Sequence, residues 1–279
     1  MPLVSSRELL LGAQQGGYAV AAFNVENMEM AQAVVSAAAE ASAPVIVQTT
    51  SGTLKYAPPA VYAAIVEKLA GAVKTPVAMH LDHGSSLELA KACIAAGYTS
   101  LMIDGSTLPF DGNAALTRSV VQAAGGLPVE AELGTVGGKE DDHDAKPQYT
   151  DPAEAAEFVR LTGIQSFAVA IGTAHGIYKG TPQLDIGLLD EIRKTVSIPL
   201  VLHGTSGVPH DQVRACIARG ICKVNYATEL RIAFSDGVKR AIAAKPDAFD
   251  PKQYLSAGRE AVKTRVLDLI RLCGSDGKA

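Results

Sequence analysis

Residues 199–207 read PLVLHGTSG. Proline opens the run, three aliphatic residues follow, and the apolar character stops at His203, before a Gly-Thr-Ser-Gly turn. Proline suits the first residue of a strand and not its middle, so the run reads as a short buried strand with its polar groups at the C-terminal end. The same plan recurs at 19–24 (AVAAFN), 44–49 (PVIVQT), 76–82 (PVAMHLD), 100–105 (SLMIDG), 128–133 (PVEAEL), 166–172 (SFAVAIG) and 222–227 (CKVNYA). Helical patterns lie between these runs, among them 31–41, 87–96 and 152–161. The last opens with Asp151 as N-cap and Pro152 in the first helical position. Strict alternation of apolar strands with helices predicts a parallel sheet covered by helices. Eight such units predict a closed (β/α)₈ TIM barrel occupying residues 1–279 as one domain. An open doubly wound sheet remains the alternative on periodicity alone, although no GxGxxG follows the first strand. The stretch 134–149 (GTVGGKEDDHDAKPQY) is long, polar and glycine-rich, and reads as a mobile active-site loop.

Composition narrows the class. The chain has 279 residues, 48% hydrophobic and 19% charged, with a formal charge of −4. That is the profile of a globular enzyme, with no basic cluster to hold nucleic acid. No apolar run reaches the ~18 residues of a membrane span, and the N-terminus lacks a secretory pattern. The four cysteines show no CxxC pairing, so the expectation is a cytoplasmic protein with reduced thiols.

In a barrel of this kind, function sits where strand C-termini meet the following loops. The third strand ends in Asp82-His83, the fourth in Asp104, and the fifth carries Glu130 and Glu132. The sixth runs into His175-Gly176, the seventh into His203-Gly204-Thr205-Ser206, and the eighth into Asn225-Tyr226-Ala227-Thr228. Three imidazoles at three strand ends (His83, His175, His203) suit a catalytic metal that keeps one position open. Taken singly, each also fits a hydrogen-bonded core histidine. Asp104 and Glu132 read as partners orienting imidazoles or as alternate metal ligands, and equally as internal hydrogen-bonding carboxylates. His80 should point into the barrel interior, whereas His143 and His210 should be solvated. The loops after the seventh and eighth strands offer amide and hydroxyl donors where such barrels bind phosphate.

These segments resemble the class II, metal-dependent ketose-bisphosphate aldolases, most closely the tagatose-bisphosphate branch. The likeness runs through GGYAVAAFNVEN (16–27), HLDHGSS (80–86), LMIDGSTLPF (101–110), VEAELGTVGGKEDD (129–142), AVAIGTAHGIY (168–178), PLVLHGTSG (199–207) and KVNYATELRIAFS (223–235). The resemblance implies Zn²⁺ on His83, His175 and His203, Asp82 as the acid–base residue, and Glu140 as a proton carrier in the loop. It places dihydroxyacetone phosphate against Gly176, Gly204, Thr205, Ser206, Asn225, Tyr226, Ala227 and Thr228. It also implies contacts from Asn24 and Thr50 to the far half of the substrate, and a monovalent cation (Na⁺ or K⁺) near the glycines. Lys252 stands where relatives carry an Arg that reaches into a neighbouring subunit, so a homodimer or homotetramer is expected.

Bond cleavage leaves a carbanion beside a ketone, which a Lewis acid stabilises. No lysine is well placed for a Schiff base, since Lys223 comes early in its strand. Ala227 in NYAT resembles the tagatose branch, so the resemblance implies D-tagatose 1,6-bisphosphate as substrate, with fructose 1,6-bisphosphate or a related ketose phosphate as the alternative. A metal-binding barrel subunit that supports a companion protein is a different class of reading, and a barrel isomerase or epimerase another. Asp82 and Glu140 argue against a purely supporting role.

Overall fold

The computed structural model describes residues 3–140 and 143–279, with the side chains at 139, 140 and 143–145 outside the description. Eight parallel strands close a barrel. In chain order the strands are β1 (Val20–Asn24), β2 (Val45–Thr50), β3 (Val77–Gly84), β4 (Ser100–Ile103), β5 (Val129–Leu133), β6 (Gly137–Glu140), β7 (His143–Ala145), β8 (Ser166–Val169), β9 (Ala174–His175), β10 (Leu200–Leu202) and β11 (Ile221–Tyr226). The barrel order is β1-β2-β3-β4-β5-β8-β10-β11, with β11 returning to β1. The helices are α1 (Ser6–Gly16), α2 (Met28–Glu40), α3 (Ser51–Tyr56), α4 (Pro59–Gly71), α5 (Leu87–Ala96), α6 (Phe110–Ala124), α7 (Pro152–Thr162), α8 (Ile186–Thr195), α9 (His210–Ile217), α10 (Thr228–Ala244) and α11 (Pro251–Cys273). The predicted TIM barrel is therefore the observed one, and Asp151 caps α7 through its carboxylate as its position implied.

Strand alternation sorts the side chains into two cores. Phe23, Val45, Val47, Met79, Leu81, Leu101 and Val224 face outward into the layer beneath the helices. Val20, Ala22, Ile46 and Ala78 face inward, where Leu9, Leu10 and Ala13 of α1 plug the N-terminal end. Above that plug the interior turns polar: His80, Glu130, Lys223, Asn24, Gln48, Asp82, His203 and Asn225 are all buried. A barrel interior has room for only a few layers of side chains, and here the upper layers hold hydrogen-bonding groups.

The stretch after β5 carries two short strands. β6 and β7 form an antiparallel pair, and β6 also pairs in parallel with β9, joining Gly137 to Ala174 and Gly138 to His175. The reason is local. Gly138 has φ +87, and a Cβ there would overlap the His175 carbonyl, so only glycine lets the two backbones approach. All four cysteines are buried. Burial pushes the thiols of Cys93, Cys216 and Cys273 up to about 12 and that of Cys222 to about 11. No helix among the described residues is long and apolar enough to cross a membrane.

Candidate metal centre and active site

The ligand geometry begins with a break in β3. Its register against β4 shifts between Leu81 and Gly84, and within the shift His83 takes φ +43. That left-handed conformation is strained for a side chain with a Cβ, at a cost on the order of 1–3 kcal/mol. It carries both Asp82 and His83 to the mouth of the barrel, where strict alternation would have sent one of them outward. The Ser51 hydroxyl bonds the His83 carbonyl at 2.8 Å and secures the turn. Gly84 is needed beside it, because a Cβ would strike the Met102 carbonyl.

His175 arrives on β9 and His203 just after β10. One ring nitrogen from each of His83, His175 and His203 lies within 4.8 Å of the others. The rings of His83 and His175 stand at 88° to one another, and those of His83 and His203 at 87°. The remaining nitrogens of two rings are already engaged: His83 Nδ1 meets Asp104 at 2.7 Å and His203 Nε2 meets Glu130 at 2.8 Å. Those carboxylates leave His83 Nε2 and His203 Nδ1 facing each other at 2.8 Å. Neutral imidazoles with a carboxylate on the far nitrogen are the donor set of catalytic zinc sites, so these residues fit a divalent metal. Burial lowers the pKa of His203, against the raising pull of Glu130, which favours the neutral ring a metal needs. Burial would raise Asp104, but the His83 hydrogen bond and charge overcome it and hold the carboxyl well below its usual range.

Asp82 sits beside the trio. Its Oδ2 accepts from the Asn24 amide at 2.8 Å and its Oδ1 from the Asn225 amide at 3.1 Å. Gln48 in turn donates to Asn24 Oδ1 at 2.8 Å. A pocket opens above this network, lined by Asn24, Asp82, His175, Gly176, Gly204, Thr205, Ser206, Asn225, Ala227, Thr228 and Arg231. Ala227 gives α10 no side-chain cap, and the Ser206 hydroxyl is 3.3 Å from the Glu229 N–H. The start of α10 thus lies at the cavity wall, held against the loop after β10. Tyr178 ties the two halves of the rim together, donating to the Gly204 carbonyl and accepting from the Ala174 N–H, each at 2.7 Å.

The chain belongs to the class-II fructose-bisphosphate aldolase family. The family's sequence model matches residues 4–278. Among solved structures, the YdjI aldolase from Escherichia coli K12 is 38% identical, covers 99% of both chains and superposes with a TM-score of 0.88. A putative fructose-1,6-biphosphate aldolase from Coccidioides immitis is 28% identical over 97% of this chain and 96% of its own, with a TM-score of 0.88. The fructose-bisphosphate aldolase from Campylobacter jejuni is 25% identical over 100% and 97%, with a TM-score of 0.84. This chain is accordingly an aldehyde-lyase of the class II aldolase type, in a family whose chemistry depends on zinc.

For the aldolase, several sequence expectations need adjustment. Tyr226 was expected at the substrate, but its ring is buried outside the barrel. There it stacks on Phe23 with centroids 5.8 Å apart, and its hydroxyl meets Cys273 Sγ at 3.7 Å. Asn225 takes the inward position, so alternation turns its neighbour away. Thr50 is buried and caps α3, accepting from the Thr53 N–H at 3.2 Å, and does not line the cavity. Glu132 is not part of the histidine cluster. Its Oε1 accepts from the Val136 N–H at 2.9 Å, and burial followed by the Asp104 charge pushes its pKa up to about 8. Lys252 is exposed near the start of α11 and pairs with Asp250 of its own chain at 2.9 Å. The side chain of Glu140 lies outside the described residues, although its backbone belongs to β6. Sequence reasoning missed Gln48, Ser51, Tyr178 and Arg231. Arg231 alone carried a charge that could have signalled it, one turn into the helix that follows NYAT.

Proposed function

We propose that this aldolase reversibly cleaves D-tagatose 1,6-bisphosphate to dihydroxyacetone phosphate and D-glyceraldehyde 3-phosphate. The reading is carried by one observation: a single cavity is lined by His175 of the histidine cluster, by Asp82, and by the donors that follow β10 and β11. His83, His175 and His203 would hold a Zn²⁺ ion, which when bound would supply Lewis-acid stabilisation of the carbanion left by bond cleavage.

The chain's own residues do the remainder. Asp82, fixed from both sides by Asn24 and Asn225, takes the C4 hydroxyl proton as the C3–C4 bond breaks and returns it in condensation. The phosphate at C1 is received by backbone amides at Gly204 to Ser206 and at the start of α10, with the Thr228 hydroxyl beside them. Glu140 carries the proton at C3, on a hairpin that closes over the bound substrate and keeps water away. Asn24 serves the far half of the substrate as well as Asp82. Lys223 is no Schiff-base candidate, because its ammonium is buried in an ion pair with Glu130 at 2.9 Å.

Ala227, on the cavity wall, is the residue by which the chain resembles the tagatose branch, and that resemblance supports tagatose over fructose bisphosphate. The names of the related structures favour the fructose epimer instead. The test is triose phosphate release from each ketose, with and without EDTA and with zinc restored. Release that survives chelation removes the metal reading. A higher kcat/KM for fructose bisphosphate removes the tagatose assignment and leaves the aldolase intact.

A further inference from the structure

Below the metal-binding histidines lies a charge pair that the aldol chemistry does not call for. Glu130 and Lys223 are fully buried in the barrel interior, with Lys223 Nζ 2.9 Å and 3.2 Å from the two carboxylate oxygens. Nζ is also 3.5 Å from His80 Nε2, while His80 Nδ1 meets the Ser100 hydroxyl, itself bonded to Ser6 of α1 at 2.7 Å. A hydrogen-bonded column thus runs from the barrel floor to His203. Burying an ion pair desolvates both charges, and apolar residues of similar volume generally hold a fold as well or better. Stability is therefore a poor reason for it.

Hydrogen-bond direction supplies a better one. An ammonium has donors and no acceptor, so Lys223 leaves the Glu130 carboxylate able only to accept. His203 Nε2, 2.8 Å from that carboxylate, must then carry the ring proton. The lone pair falls on Nδ1, the nitrogen that faces His83 Nε2. The wrong tautomer would present N–H to the metal. We propose that Glu130, fixed by Lys223, is the positioning residue that selects the Nε2–H tautomer of His203 and so sets the affinity of the histidine cluster for a divalent cation. The inference rests on the metal reading of that cluster, and it concerns residues that do not touch substrate.

The experiment uses the full-length metal-free protein and Zn²⁺ or Co²⁺ as probe. Glu130→Gln tests the carboxylate, and Lys223→Met tests its anchor. Each single variant strands a buried charge or loses a fixed acceptor, so the double variant Glu130→Gln/Lys223→Met is made as well. It strands no charge and is expected to fold. Imidazole ¹⁵N NMR of the metal-free proteins reports the tautomer directly, without catalysis. The expected result is an Nε2–H ring at His203 in the parent and a mixture in the variants. Zn²⁺ affinity by chelator competition should fall roughly 10- to 100-fold, the range seen when partners of metal-ligating histidines are removed. The Co²⁺ ligand-field spectrum should broaden.

The double variant should be no worse than the worse single one, because the two residues act as one unit. A double variant that keeps the parent's tautomer and zinc affinity while its melting temperature changes would overturn the proposal, leaving a structural pair. If the parent itself binds no Zn²⁺, the metal reading falls, and the NMR measurement still decides whether Glu130 selects the tautomer.

Discussion

Gly138→Ala puts one methyl group where the structure has no space for it. The new Cβ would overlap the His175 carbonyl, at a residue whose φ is +87. Keeping the hairpin docked costs about 1–3 kcal/mol for the left-handed conformation and about 1–3 kcal/mol for overpacking. Lifting β6 away from β9 sacrifices the pairings of Gly137 with Ala174 and Gly138 with His175. At about 0.5–1.5 kcal/mol for each net hydrogen bond, that route costs about 1–3 kcal/mol. Undocking is the cheaper route, and it releases His175 from one side. Zinc affinity should therefore fall by roughly 5- to 150-fold, at about 1.4 kcal/mol per factor of ten. The neighbouring Gly137 is the control. It has no positive φ, and its added Cβ would lie 3.1 Å from the edge of the Pro147 ring, a contact that a small shift relieves. Chelator competition with a fluorescent zinc indicator measures both variants. Equal losses in Gly137→Ala and Gly138→Ala, or parent-like affinity in Gly138→Ala, would refute the argument that the hairpin braces His175.

Asp82→Ala should keep its zinc and lose kcat by roughly 10²-fold or more with little change in KM; near-normal turnover would move proton transfer to another group. Glu140→Ala should slow exchange of the C3 proton of dihydroxyacetone phosphate with deuterated solvent, followed by NMR, while zinc content stays unchanged. Exchange at the parent rate would return Glu140 to the solvated surface. Glu132 gives a pH signature in the metal-free protein. Its folded pKa of about 8 lies above the ordinary carboxyl value of 4.5, so the native state holds a proton that the unfolded chain releases. Its contribution is complete below about pH 4.5 and is lost as pH rises toward 8. Glu132→Gln should match the parent melting temperature at pH 5 and exceed it at pH 8.5 in EDTA, and a constant difference across that range would contradict the assignment.

The barrel was legible because each strand announces both its ends, with a proline or small residue at the start and a polar cluster at the finish. His203 and Asp82 could be placed at the mouth for that reason, and His80 in the interior. Tyr226 was misread although the rule for it was available: if Asn225 faces the interior, the next residue cannot. The hairpin at β6 and β7 was not legible, because two adjacent glycines beside charged residues look like irregular chain until a partner strand is seen. The Glu130–Lys223 pair was beyond reach for a different reason. Its members are 93 residues apart on strands that face each other across the barrel, and no local pattern reports who stands opposite whom.

The buried thiols have a practical consequence. Thiolate is the nucleophile in alkylation, and buried thiols pushed up to about 11 or 12 supply almost none at neutral pH. Toward maleimides the native chain is therefore a silent background, with no need to remove Cys93, Cys216, Cys222 or Cys273. One cysteine introduced in place of exposed Lys252 would be the lone reactive handle, and a dye attached there would sense by its own quenching whether another copy of the chain comes to rest against the start of α11.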